Sequence, residues 1–175
     1  MPELYLERKF DKPLSPADVL AMAHDGAGCF ALHRVDWLAS LLSRDGRRMV
    51  CRFRAADAES VRIALRTIGA DSRRLWPGTV HDRPDLGDAE RGSANVLVRR
   101  GFAQPVTLDE IQALEDAGAW CLDARDVRFI RSFFSVDRKR MVCLYRAPDA
   151  EAVRQAQRQA GMPVEDVWAF RTVAM

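Results

Sequence analysis

Residues 47–62 read RRMVCRFRAADAESVR, and residues 139–154 read KRMVCLYRAPDAEAVR. The two blocks lie 92 positions apart. At that offset, residues 3–82 align with residues 95–174 without a gap, and about 26 of the 80 positions are identical. Phe10 matches Phe102, Pro13 matches Pro105, Cys29 matches Cys121 and Trp76 matches Trp168. A match this long and gapless marks a duplication. The expected division is a first repeat over 1–82, a linker over 83–94 and a second repeat over 95–175. The linker is polar, holds Gly and Pro, and has no apolar period.

The quoted blocks begin with an alternating strand, Met49, Cys51 and Phe53 against Met141, Cys143 and Tyr145. Asp57 and Asp149 then cap a helix whose inward side is Val61, Ala64, Leu65 and Ile68 in the first copy. Gly69 and Gly161 stand where that helix should end. Upstream, Asp45-Gly46 signals a hairpin turn, whereas Asp137-Arg138 predicts a different turn in the second copy. Before the turn comes a strand, VDWLASLLS or VRFIRSFFS. Strict alternation puts Trp37 and Leu41 on one face and Leu38 and Leu42 on the other, with Phe129 and Phe133 against Ile130 and Phe134. Both faces are apolar, so both should be buried.

Further out, Ser15-Pro16 and the capping box Thr107 to Glu110 start another helix in each copy. Its inward face reads Val19, Met22, Ala23, Gly26, Ala27 and Phe30, or Ile111, Leu114, Gly118 and Leu122. ELYLERKF and NVLVRRGF read as first strands, and last strands run through Trp76 and Trp168. Each copy is therefore β-α-β-β-α-β, the ferredoxin-like order. The expected fold class is α+β, with two tandem ferredoxin-like repeats packed sheet to sheet as a pseudo-dimer, resembling an α+β-barrel.

The chain has 175 residues and a net charge of +2, with 27 basic and 25 acidic residues. That balance argues against a dedicated nucleic-acid binder. RNA-recognition domains share the element order, but here the third strands carry only Phe53 and Tyr145 where aromatic stacking platforms would sit. There is no apolar run long enough for a membrane span and no signal-like start at MPELYLERKF, so a cytoplasmic protein is expected. Four cysteines without a C-x-x-C pair read as free, buried thiols.

CRFRAADAESVR and CLYRAPDAEAVR, with WLASLLS and FIRSFFS upstream, resemble a family of small ferredoxin-like domains known as nickel-responsive or nickel-binding-protein-like. The resemblance spans both copies. It implies domains that pair as dimers, a non-enzymatic, metal-associated role, and nickel as the ligand. The family pattern has Trp-x-His-Ser in the second strand, where this chain has Trp37-Leu38-Ala39-Ser40 and Phe129-Ile130-Arg131-Ser132. A second family histidine falls at Ala64 and Ala156, so only Cys51 and Cys143 remain as donors. Imidazole suits nickel and alanine cannot replace it. The expectation is a chain without a metal or other cofactor.

Arg8 and Arg100 fall in phase with the apolar residues of the first strand, so each is expected to be ion-paired, to reach solvent from the strand end, or to anchor an anionic ligand. His24, His33 and His81 are not repeated and read as solvated. The candidate ligand-binding set is Arg8, Trp37, Ser40 and Cys51 in the first copy, and Arg100, Arg131, Ser132 and Cys143 in the second. No catalytic residue is expected. The function expected is binding or sensing of a small or anionic molecule, without nucleic acid or membrane. The alternative is an enzyme of the α+β-barrel kind, monooxygenase- or isomerase-like, with a cavity between sheet and helices.

Overall fold

The computed structural model describes residues 1–175 and has a mixed α+β fold. The chain forms two compact units, Met1–Thr79 with Phe170–Met175, and Val80–Ala169. No helix is long and apolar enough to cross a membrane.

The first unit runs β1 (Glu3–Lys9), α1 (Pro16–Leu32), β2 (Asp36–Ser43), β3 (Arg48–Arg54), α2 (Ala58–Thr67) and β4 (Leu75–Asp82, of which Leu75–Thr79 lie in this unit). Its antiparallel sheet has the order β4-β1-β3-β2, and Phe170–Val173 extend it beside β2. The second unit runs α3 (Asp88–Arg91), β5 (Val96–Gly101), α4 (Leu108–Ala117), α5 (Ala119–Ala124), β6 (Arg128–Ser135), β7 (Arg140–Arg146), α6 (Ala150–Ala160) and β8 (Asp166–Val173, Asp166–Ala169 of it in this unit). There β8, β5, β7 and β6 pair in that order, all antiparallel. The segment over 83–94 is exposed except at the buried Leu86 and the half-buried Ser93 and Ala94, and contains the single turn of α3.

Helix starts follow the sequence. Ser15 Oγ accepts from Asp18 N, and Asp18 reaches back to Ser15 N, with Pro16 in the first turn. Thr107 and Glu110 do the same for α4, and Asp57 and Asp149 cap α2 and α6. The helix of the second copy breaks into α4 and α5 at Gly118. A Cβ on Gly118 would lie 2.5 Å from Ala160 Cβ, so the glycine admits close approach of α6. Three residues assigned to inward faces are exposed instead: Ala27, Leu114 and Ile68. Each stands at the flank of an apolar stripe, where the turn of the helix carries it out of the core.

The second strands do not alternate strictly. The register jumps between Trp37 and Ala39 opposite β3, and between Phe129 and Arg131 opposite β7. Each jump is a β-bulge at the intervening residue, Leu38 or Ile130. It places Trp37, Ser40 and Leu42 on one face with Cys51 and Met49. Ala39 and Leu41 take the other face, correcting the pairing of Trp37 with Leu41. Phe129, Ser132 and Phe134 likewise share a face, and Arg131 and Phe133 lie opposite. Both faces are buried, as Leu41 and Leu42, or Phe133 and Phe134, show.

The two hairpin turns are alike, contrary to the sequence expectation. Gly46 has φ 73° and Arg138 has φ 62°. In each turn an aspartate, Asp45 or Asp137, accepts a 2.6 Å hydrogen bond from the serine two residues earlier. The left-handed position is imposed by these shared bonds, and arginine occupies it despite its Cβ.

Candidate functional site

Strand β1 delivers Arg8 to the helix-covered face of the first sheet, and β2 and β3 bring Trp37, Ser40 and Cys51 beside it. Trp37 Nε1 donates to Ser40 Oγ at 2.9 Å, and Ser40 Oγ donates to Cys51 Sγ at 3.1 Å. Arg8 leans out over the Phe10 ring, 4.9 Å from its centre. The space among these groups is about 40 Å³, closed in by Phe30, Phe53 and Leu65. That admits a few waters and nothing larger.

The same positions of the second unit are built differently. By the offset of 92, Phe53 becomes Tyr145, Leu65 becomes Gln157, Ala23 becomes Glu115 and Trp37 becomes Phe129. Arg100, only 2% exposed, turns inward. Its Nη1 donates to the Pro163 carbonyl at 2.8 Å, and its Nη2 to Tyr145 Oη at 2.9 Å and Gln157 Oε1 at 2.7 Å. Tyr145 in turn donates to Glu115 Oε1 at 2.9 Å. Arg100 Nε and Gln157 Nε2 stay buried without a partner.

Above this network opens a cleft of about 690 Å³. Its walls include Ile111, Leu122, Phe129 and Met141, and Glu115, Ser132 and Cys143 supply its inner polar groups. Ser132 is there because of the bulge at Ile130, which returns it to the face of Phe129. A volume of this size suits a small organic molecule.

Burial sets the electrostatics. It pushes the Glu115 carboxyl above the ordinary glutamate range, against the Tyr145 hydrogen bond and the nearby Arg100 charge. Burial also raises the Cys143 thiol and the Tyr145 phenol, again opposed by Arg100. Arg100 keeps its charge. Burial works against the cation, and Cys143, Tyr145 and Glu115 outweigh that cost. In the first unit, burial raises the Cys51 thiol. No three residues among His, Cys, Asp and Glu converge anywhere as a metal-holding group.

Residues 96–169 match the model of the SCO4226-like family of nickel-responsive proteins. The resemblance to that family extends to a solved structure, SCO4226 from Streptomyces coelicolor A3(2), at 20% identity. The match covers 42% of this chain and 91% of that one, with a TM-score of 0.39. A candidate chlorite dismutase, TA0507, matches over 98% of this chain and 94% of its own, at 14% identity and a TM-score of 0.54, which is a likeness of fold. An anthrone oxidase-like protein matches over 97% and 91%, at 10% identity and a TM-score of 0.47. Among curated proteins, none matches the sequence.

The structure gathers Arg8, Trp37, Ser40 and Cys51 in the first unit, and Ser132 and Cys143 in the cleft of the second. Arg100 lies beneath the cleft without lining it. Arg131 is on the opposite face of β6, where its Nε and Nη2 donate to the two carboxylate oxygens of Asp82. Cys51, Cys121 and Cys143 are buried, Cys29 is half-buried, and all four are free thiols. His81, expected in solvent, lines the cleft and is half-buried. Glu115, Tyr145 and Gln157 were not among the sequence candidates. Their signal lies in the duplication: three core-phase positions are apolar in one copy and polar in the other, all next to a retained arginine.

Proposed function

We propose that the chain is a non-enzymatic small-ligand binding protein built from two ferredoxin-like copies of one domain, with the ligand site in the second copy alone. The single observation that carries this is the contrast at equivalent positions. A cleft of about 690 Å³ stands over the Arg100–Tyr145–Glu115 network, whereas its counterpart is a void of about 40 Å³ packed with Phe53, Leu65 and Ala23. A buried, hydrogen-bonded polar floor under apolar walls is how small-molecule sites fix orientation. In this reading the first copy is a scaffold, and the two copies form an intramolecular pseudo-dimer.

Nickel has no place in the reading. Ala39, Arg131, Ala64 and Ala156 hold the positions of the family's imidazoles. The donor left in the second copy, Cys143, lies beside the Arg100 guanidinium. A fixed cation and a protonated thiol are a poor donor set for a divalent metal.

The second reading is an enzyme. It is favoured by one observation, a carboxyl with raised proton affinity, Glu115, held by Tyr145 at the edge of a cleft. The test is thermal-shift screening of small molecules against the full chain and an Ala119→Trp variant, whose new side chain fills the cleft from its rim. Hits lost in the variant support the site. Hits that persist place binding elsewhere, and a screen without hits ends the reading. Turnover of a hit would favour the enzyme.

A further inference from the structure

We propose that the cleft of the second unit takes an organic cation, a primary ammonium on an apolar or aromatic body, and that Ser132 Oγ and the Glu115 carboxylate receive the ammonium. The inference rests on the ligand-site reading above and adds the chemistry of the ligand.

Ser132 is the first observation. It is 3% exposed and lines the cleft, yet its side chain has no hydrogen-bond partner in the protein. Its counterpart Ser40 receives the Trp37 indole N–H and donates to Cys51. Phe129 has no N–H to offer, so the change from tryptophan to phenylalanine frees the Ser132 hydroxyl toward the cleft. The hydroxyl is thus left open to the cleft, where a ligand or water completes its hydrogen bonding.

Glu115 is the second. One carboxylate oxygen is held by Tyr145. No cation touches the group, because Arg100 reaches it only through the Tyr145 hydroxyl. The remaining capacity is that of an acceptor, and it lies in the wall of the cleft. An ammonium head brings three N–H donors to a cleft whose lining offers these two acceptors. Its body would rest on Ile111, Leu122, Phe129 and Met141, which supply the apolar lining of the cleft.

The rim agrees in sign. Asp109, Asp116, Asp123 and Asp126 line the cleft and none has an ion-pair partner, against Arg83 and Arg128. A cleft edged by one sign of charge concentrates ligands of the other. An anion would find only Arg83 and Arg128 in the lining, against those four aspartates and Glu115. Arg100 is committed to protein acceptors and does not line the cleft, and Arg131 is tied to Asp82.

The test uses three probes of similar shape on the full chain, followed by NMR and calorimetry: 2-phenylethylamine, 2-phenylethanol and 3-phenylpropionate. The amine should bind at one site per chain and shift the amides of Phe129 and Ser132. Glu115→Gln should weaken it roughly tenfold and Ser132→Ala severalfold, with both variants retaining the wild-type amide pattern away from the cleft. If the alcohol or the acid binds the cleft as well as the amine, the cation inference falls while the ligand site stands. Amine binding indifferent to both substitutions also overturns it. If no probe perturbs the cleft, both the inference and the ligand-site reading fall.

Discussion

Arg100 and Tyr145 are joined by a 2.9 Å hydrogen bond inside the second unit, where the arginine donates to the phenol and the phenol O–H donates in turn to Glu115. The phenol thus separates a buried cation from its nearest carboxylate. Tyr145→Phe restores the residue type of Phe53 but strips Arg100 of one acceptor and Glu115 of its donor. The expected loss is about 2 kcal/mol, since a buried charged donor is left short. Urea denaturation of the variant checks this, and a neutral outcome would mean that water replaces the hydroxyl.

Gln157→Leu copies Leu65 into the second unit. Alone it removes the 2.7 Å acceptor of Arg100 and should cost about 2 kcal/mol. Combined with Arg100→Met, most of that cost should vanish, because the charge that needed the acceptor is gone. The double-mutant cycle should show a coupling of about 1 kcal/mol or more. Strict additivity would show that the two side chains do not act as one network.

Gly46 and Arg138 occupy the same left-handed turn position. A Cβ on Gly46 would sit 2.3 Å from the Leu14 carbonyl oxygen, so Gly46→Ala meets both strain and collision. It should destabilise by roughly 2–3 kcal/mol. Arg138→Gly relieves the strain and should stabilise by about 0.5–1 kcal/mol after the entropy of the unfolded glycine is counted. Thermal melts of both variants give opposite shifts if the turns are equivalent.

Asp137 accepts from Ser135 Oγ and from Lys139 N, and these bonds hold its carboxyl below the ordinary aspartate value of 3.8. A carboxyl depressed in the folded state contributes stability above its unfolded pKa and loses it as pH falls through the folded one. Asp137→Asn should therefore lower Tm at pH 7 by about 1–2 °C, a small effect because the group is exposed. The difference should shrink below pH 4 as the wild-type carboxyl takes up its proton. A difference constant from pH 7 to 2 would assign the effect to shape rather than charge.

The cleft was only partly legible in the chain. Ser132 and Cys143 could be named from their repeated positions, and Arg100 from its place in an apolar stripe. Glu115 stands at the inward phase of Ala23 and was passed over, because a carboxylate in an apolar stripe gains its meaning only from the Tyr145 hydroxyl that holds it. Tyr145 looked like a conservative aromatic exchange for Phe53. Its hydroxyl matters only because Arg100 and Glu115 stand on either side of it.

Local and periodic features were fixed along the chain itself: the recurrence of residues 3–82 in 95–174 at an offset of 92, the capping residues Ser15, Asp57, Thr107 and Asp149, and the order of strands and helices in each half. They depend on contacts within a few residues or on the repeat of side-chain types, both of which a linear sequence carries. Tertiary packing alone decided the bulges at Leu38 and Ile130, the break at Gly118 and the inward turn of Arg100. A bulge is set by what the partner strand needs opposite it, and Gly118 by the approach of Ala160 from another helix. Arg8 and Arg100 are the same residue on equivalent strands. One leans outward over Phe10 and the other is buried, because only the second finds Tyr145, Gln157 and the Pro163 carbonyl waiting to take its hydrogen bonds.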